Sequence, residues 1–421
     1  MAALAQTTIT PVVTFNGANG ATPVAALIQA NDGNFYGTTS FGGATSTNGT
    51  GSDASGAIFE ITPSGTYTLL YSFTGGTDGS VPAGALYQGD DGNFYGTTSG
   101  NNGQNGSGTI FRFKPGTGTA GTLTTLYTFT GAADGGVPLA GLVEDSNGNF
   151  WGTTSVDGTG SAGTVFMINA DHELTTVYPF CSSPNCTDGS TPVASLVQGN
   201  DGNFYGTTQQ GGTNSSGTIF KITPTGEFTS LYSFCPISGC PDGSKPSAAL
   251  IVGPDGNFYG TAANGGTSGF GTAFRITPAG ALTTLHSFTG MGSEGGTPLG
   301  ALVLGADFNF YGTTQQGGTT GNNGTVFQMD SSGDVLSWDL TLANGSHPAA
   351  ALVEGGTSPL FYGTAASGGA TGDGTVFQLA VVATGGGTFT ISGQVANLAG
   401  PGVTGVTMTL SGSARDRKSV V

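Results

Sequence analysis

The sequence predicts an all-β fold, a seven-bladed β-propeller, and two observations carry that expectation. A stretch close to Asp-Gly-Asn-Phe-Tyr-Gly-Thr-Thr recurs seven times, centred on Tyr36, Tyr95, Trp151, Tyr205, Tyr259, Tyr311 and Tyr362. Units repeating about every 50 residues seldom bury an apolar face alone, so they stack on their neighbours. Within each unit short apolar segments alternate with turn signals, and helical spacing is nowhere sustained.

The fourth copy shows the elements of one blade. Ala194 to Gln198 is apolar-rich, and Asn200-Asp201-Gly202 is a hairpin turn that tolerates positive φ. Asn203 to Thr208 follows, then a loop of Gly, Ser and Asn, then Gly217 to Thr223 with alternating apolar residues. The turn Pro224-Thr225-Gly226 leads into Phe228 to Phe234. We name these strands a to d from the axis outward. In Tyr-Gly-Thr, the strand glycines Gly37, Gly96, Gly152, Gly206, Gly260, Gly312 and Gly363 predict a close backbone approach.

A strand inventory tests closure. Strand c occurs seven times, anchored by Phe59, Phe111, Phe166, Phe220, Phe274, Phe327 and Phe377, but no Leu-Tyr-Ser-Phe strand follows Phe377. A matching strand, Thr10 to Phe15, precedes the first strand a and has no blade of its own. The N-terminal strand is therefore predicted to supply strand d of blade 7 and close the ring, leaving no full sheet edge unpaired.

Composition is compatible with such a core. Gly (79) and Pro (19) bring the chain near low-complexity composition, but 26 Phe and 12 Tyr sit largely at fixed repeat positions. Each can bury about 150–250 Å². Only 8% of residues are charged and the net charge is −17. The propeller keeps only Arg112, Lys114, Lys221, Lys245 and Arg275 as basic residues, while Arg415, Arg417 and Lys418 lie near the end. Nucleic acid and anionic membrane surfaces need a basic stripe that this chain lacks. No apolar run reaches the length of about 18 residues that a membrane helix requires.

Three features predict an extracellular or cell-surface setting. Residues 1–6, with Ala3-Leu4-Ala5, look like the remnant of a secretory signal. Cys181 with Cys186, and Cys235 with Cys240, form local pairs at equivalent places after strand d. They read as two disulfide-closed loops in an oxidising compartment; the alternative is one zinc site on all four thiolates. The expected organisation is a monomeric propeller over 7–380, a Gly-rich linker over 381–387, an incomplete carboxypeptidase-regulatory-like or immunoglobulin-like β fragment over 388–413, and a non-native tail over 414–421. That end predicts a longer, anchored protein.

The candidate binding site is the loop joining strand d of one blade to strand a of the next, which reads Asp-Gly-Ser-x-Pro. Its first position is Asn19, Asp78, Asp134, Asp188, Asp242, Glu294 and Asn344, so five carboxylates are predicted to ring one opening of the axial channel. One reading is a cation site, with calcium the candidate, or a hydrogen-bonding rim for a neutral glycan. The other is that each Asp caps its own turn. The same two readings apply to the hairpin turns at Asp32, Asp91, Asp201 and Asp255, with Asn147 and Asp307 as variants. His172, His286 and His347 occupy unrelated repeat positions, and no nucleophile elbow, zinc-protease helix or phosphate loop occurs. Long b-to-c loops in blades 1 and 2, Ser40 to Ser55 and Ser99 to Ser107, break the symmetry.

Asp32 to Thr39, then Gly217 to Pro224, and Leu-Tyr-Ser-Phe together resemble the GloVer tandem repeat of secreted bacterial proteins, over roughly residues 7 to 380. That resemblance implies surface anchoring without an assigned activity. The pattern is also similar to streptogramin lyase-like seven-bladed propellers, whose catalysis uses His and Glu with magnesium. The three histidines here do not match that arrangement, so no catalytic residue is assigned. The expected function is a binding or structural module for a glycan or protein. The alternative is a lyase or hydrolase at the channel mouth, for which only the neighbourhood of Asp339 and His347 offers side chains.

Overall fold

The computed structural model describes residues 7–44, 55–100, 107–116, 121–290, 292–356, 359–381, 389–392 and 407–410. These residues form seven four-stranded antiparallel sheets and one two-stranded pair. In blade 4, Val197–Gln198, Phe204–Thr208, Thr218–Ile222 and Phe228–Ser233 lie side by side in chain order. Blades 1, 2, 3, 5 and 6 repeat that order.

The seventh sheet closes as predicted. Its order is Val353–Glu354, Leu360–Ala365, Thr375–Ala380 and then Thr8–Thr14. Thr8 faces Ala380, Thr10 faces Gln378, Val13 faces Val376, and Val12 lies in a bulge. Pro11 is tolerated because this is an outer strand, where a missing N–H breaks no ladder. Phe15, just beyond the strand, is fully buried and meets Phe59 edge-on at 5.3 Å, joining blade 7 to blade 1.

Between blades the core is built from one repeated contact. The strand b Tyr or Trp of each blade packs on the strand b Phe of the next: Tyr36 on Phe94 at 4.3 Å, Tyr95 on Phe150 at 4.1 Å, Trp151 on Phe204 at 4.4 Å. The series continues with Tyr205 on Phe258, Tyr259 on Phe310 and Tyr311 on Phe361, and Tyr362 returns to Phe35 at 4.2 Å.

Two expectations need correction. Strand a is only two residues long, Val197–Gln198 in blade 4, where the sequence predicted Ala194 to Gln198. Nearer the axis the blades converge, and the segment bonds sideways instead: Thr153 Oγ1 donates to the Ala194 carbonyl of the next blade at 3.2 Å, and Thr364 Oγ1 to Ala25 at 3.0 Å. The crowding is direct, since a Cβ on Gly141 would lie 2.6 Å from the Ala85 carbonyl oxygen. The Tyr-Gly-Thr glycine makes room for a ring and not for backbone: a Cβ on Gly206 would stand 2.5 Å from Phe220 Cζ and 2.8 Å from Leu196 Cδ2.

Outside the ring, Phe389–Ser392 and Thr407–Leu410 pair, with Ile391 facing Met408. The rest of the expected β fragment, residues 1–6, most of the linker and the tail lie outside the described residues, as do 45–54 and 101–106 of the two long loops.

Truncating Phe15 to Ala should cost about 3–5 kcal/mol, because a wholly buried ring leaves a cavity at the seam. A urea midpoint unchanged from the parent protein would contradict that. Gly206→Ala should cost about 1–3 kcal/mol by overpacking against Phe220, measurable in the same titration.

Candidate functional site

Each d-to-a loop pairs with the b-to-c loop of the blade it enters: Ser80 with Gly100, Gly136 with Val156, Ser190 with Gln210, Ser244 with Asn264, Gly296 with Gln316 and Ser346 with Ser367. The seven predicted rim positions therefore share a face. Their side chains, however, turn back into their own loops. Asp78 accepts from the Tyr71 hydroxyl at 3.0 Å and the Thr74 and Gly76 amides. Asp134 accepts from Tyr127 at 3.0 Å and from the Thr130 and Ala132 amides, and Asp188 from Tyr178 at 2.8 Å and the Ser182 and Ser183 amides. Glu294 is bonded to His286 Nε2 and the Thr289 hydroxyl. Asn19 and Asn344 accept from the Asn16 and Thr341 amides. This is turn capping. Among the described residues no three His, Cys, Asp or Glu side chains converge as metal ligands.

Asp242 is bonded to Tyr232 and the Cys235 amide, but its Oδ1 is buried without a partner. The next residue, Pro236, has no N–H to offer. The cysteines form two disulfides, Cys181–Cys186 and Cys235–Cys240, each closing the loop that leads to its rim aspartate. All four sulfurs are thereby committed, and the zinc alternative is set aside.

On the opposite turns, Asp32, Asp91, Asp201, Asp255 and Asp307 each accept from the strand b Tyr hydroxyl, at 2.7–3.0 Å, and from the Asn two residues on. Blade 3 does this with Asp145 and not with Asn147, the position that the repeat predicts: Trp151 Nε1 donates to Asp145 at 3.0 Å. The longer indole reaches a carboxylate two positions earlier. Burial pushes Asp134 and Asp145 up, but the hydrogen bonds they accept outweigh it and leave both below the ordinary carboxylate range. Burial, reinforced by the neighbouring carboxylates, pushes Tyr71, Tyr95 and Tyr127 up to about 12.

The histidines stay apart in role. His172 is exposed in the c-to-d turn of blade 3, His286 is half-buried in strand d of blade 5, and His347 is exposed before strand a of blade 7.

The repeat's ties lapse together on the flank of blade 6. In blades 1 to 5 the strand d Tyr or His is bonded to the rim acid; here the pair is Trp338 and Asn344, and Asn344 Nδ2 instead points to the Ile9 carbonyl at 3.5 Å. Blades 1 to 5 also carry a bulge in strand d, at Leu70, Leu126, Val177, Leu231 and Leu285, whereas Val335–Asp339 pairs without interruption. In blades 4, 5 and 6 the c-to-d turn lies over the bulge of the preceding blade, as Gly226 does over Val177, Gly280 over Leu231 and Gly333 over Leu285. Blade 7 has no such turn, since its strand d is Thr8–Thr14. A cleft of about 380 Å³ results, lined by Thr7, Ile9, Ser293, Ser337, Trp338, Asp339 and Asn344. Asp339 Oδ2 accepts from the Thr319 amide at 2.7 Å, and its Oδ1 is buried with no partner. A second cleft of about 260 Å³ lies between blades 2 and 3, with Asp90, Asp91, Arg112, Glu144 and His172 along it.

A model of the Gloeobacter/Verrucomicrobia repeat matches residues 44–241 and 237–417, and the chain belongs to that family. No curated protein matches it. Among solved structures it is similar to an extracellular domain assigned to a hybrid two-component system of B. thetaiotaomicron (TM-score 0.54, 14% identity, 89% of this chain and 42% of that one). It is also similar to an ulvan lyase solved with -[GlcA(1-4)Rha3S]- bound (0.53, 13%, 88% and 95%). A third is PorZ, a surface component of the type-IX secretion system of Porphyromonas gingivalis (0.51, 15%, 87% and 48%). At these identities the likeness establishes the propeller fold.

Replacing both Asp134 and Asp188 by Ala should lower stability by about 1–3 kcal/mol per site, since each strands amide and hydroxyl donors. Added calcium should leave the melting temperature of the parent protein unchanged. The depressed carboxylates, Asp91, Asp134, Asp145, Asp201, Asp255 and Asp330, contribute stability above their unfolded pKa that is lost as pH falls through the folded one. The raised tyrosines contribute stability below their unfolded pKa of about 10 that is lost as pH rises through the folded values. Melting temperature against pH should thus fall below about pH 4 and above about pH 10; a profile still rising beyond either limit would refute the assignment.

Proposed function

We propose that this propeller is a secreted or cell-surface binding module whose ligand, a glycan or a protein, is held at the flank of blade 6, and that it performs no catalysis. One observation carries the reading. The polar groups repeated from blade to blade are consumed by their own turns, and blade 6 is where a large aromatic replaces the tyrosine–acid tie and a cleft opens beside it. Two disulfides support an oxidising compartment. The likeness to an extracellular domain and to a surface component of other bacteria points the same way. A lyase or hydrolase would need a proton-transfer pair, and Asp339 is held by Thr319 while His347 stands exposed with its amide on Asn323.

The full chain should be tested on arrays of glycans and of extracellular proteins, with and without EDTA. Binding is expected to survive the chelator and the Asp134→Ala, Asp188→Ala double change, and to fail with Trp338→Ala. Retention by Trp338→Ala, or loss on chelation, would return the function to the acidic rim.

A further inference from the structure

A bulge interrupts the outer strand of every blade except the sixth. We propose that this strand, Val335–Asp339, takes a fifth strand from a protein partner, an extended segment with an apolar centre and basic residues at its ends. The proposal names the partner class for the binding module just described and rests on that reading.

An open sheet edge is a template for a further strand, and natural sheets blunt it with bulges, prolines or lysines. Blade 7 has both a bulge at Val12 and a proline, Pro11, opposite Phe377. In blade 6 the residue at that register is Ser337, opposite Phe327, and the strand pairs from end to end without interruption. No Lys or Arg occurs between Arg275 and Arg415. The edge of blade 6 therefore carries none of the three devices.

Its backbone groups are ordered for pairing. The Leu340 amide donates inward to the Gly324 carbonyl at 3.0 Å. In a strand without a bulge the direction alternates from there, so Trp338 and Leu336 bond to strand c while Val335, Ser337 and Asp339 turn N–H and C=O to the open edge. Among the described residues no backbone hydrogen bond reaches those outward groups. In the bulged blades the extra residue breaks the alternation, and the edge offers no such regular row.

Side chains set the character of the partner. Next to the register of the strand c phenylalanine the other outer strands carry Thr68, Thr124, Thr175, Thr229, Thr283 and Thr10, whereas blade 6 has Leu336, 62% exposed. Threonine satisfies the fold at every other blade, so packing does not demand the leucine. Directly opposed residues on neighbouring strands interact, and an apolar residue is favoured opposite Leu336. Asp334, exposed, precedes the strand and Asp339 ends it. With no cation of its own nearby, this edge is complemented by Lys or Arg at both ends of the incoming segment. A second copy would bring the same acids in a chain of net charge −17 and is disfavoured. Main-chain bonds supply affinity in such a pairing and alternate side chains supply specificity.

The full chain can be tested with a displayed library of random peptides, selected for binding and counter-selected on Ser337→Pro. That change removes one outward N–H and installs the residue that blade 7 carries at this register, so the melting temperature should hold. Enriched peptides should alternate apolar residues with Lys or Arg. Ser337→Ala, which removes only the hydroxyl, should bind them like the parent. Leu336→Thr should weaken them by about tenfold or more, about 1.4 kcal/mol, as should N-methylation of every second amide of a synthetic peptide in one of its two registers. Peptides that bind the parent and Ser337→Pro equally overturn the added strand, and enriched acidic peptides overturn the charge assignment. A dimer seen by light scattering and lost in Ser337→Pro gives the edge to a second copy and overturns the partner class. A glycan bound on the array, lost with Trp338→Ala and kept by Ser337→Pro, overturns the strand and keeps the binding-module reading. No enrichment from the library overturns the strand, and the further absence of any array binding removes the binding module as well.

Discussion

The stack of a strand b tyrosine or tryptophan on the phenylalanine of the next blade is the constraint on which this molecule turns. It occurs at every junction, with ring centroids 4.0–4.4 Å apart, and the last of the seven returns to the first blade. A closed ring admits no drift, so each blade must present its aromatic at the same height and angle. In blades 1 to 6 the turn aspartate holds the hydroxyl, or in blade 3 the indole N–H, and in blade 7 Gln378 donates to the Tyr362 hydroxyl. The glycine that follows leaves space for the strand c phenylalanine behind it. Asp-Gly-Asn-Phe-Tyr-Gly-Thr-Thr is thus a packing instruction, and its repetition reflects the requirement to close the ring.

That requirement also explains why the conspicuous charges are quiet. A carboxylate in five of the seven d-to-a loops invites a functional interpretation, yet each one serves its own loop and the strand d Tyr or His. Repetition spreads structural necessity evenly around the ring, whereas recognition of a ligand needs a departure from it. The departures concentrate on the flank of blade 6 that faces blade 7, the one blade whose ladder is completed by residues distant in sequence.

The fold could be read from the sequence because the repeat is long, in register and unpaired by one strand at each end: Thr10 to Phe15 and the missing partner of Phe377 fit each other, and the backbone pairs Val13 with Val376. The disulfides were legible from their equivalent insertion. Strand a was overdrawn because apolar character near Ala194 marks burial at the axis, where crowding replaces pairing with sideways hydroxyl bonds. Asp145 is not legible in the repeat because the longer reach of Trp151 moves the acceptor out of the repeat position. The cleft was invisible for a different reason. One residue fewer in the outer strand of blade 6 is a small change in spacing, but it abolishes a bulge and changes which side chains face the neighbouring blade. Trp338 reads in sequence as one more strand d aromatic, and only the absent turn of blade 7 distinguishes it.

The antiparallel pairing of Thr8 with Ala380 has a mechanical consequence. The two flanking segments leave the ring from adjacent points, so the propeller adds little to the end-to-end reach of any chain that carries it and hangs to one side like a pendant. A tensile load across those points would peel the outer strand open one hydrogen bond at a time, beginning at Thr8, and would not shear the whole ladder at once. The weakest direction of the molecule is therefore the line joining its own exits.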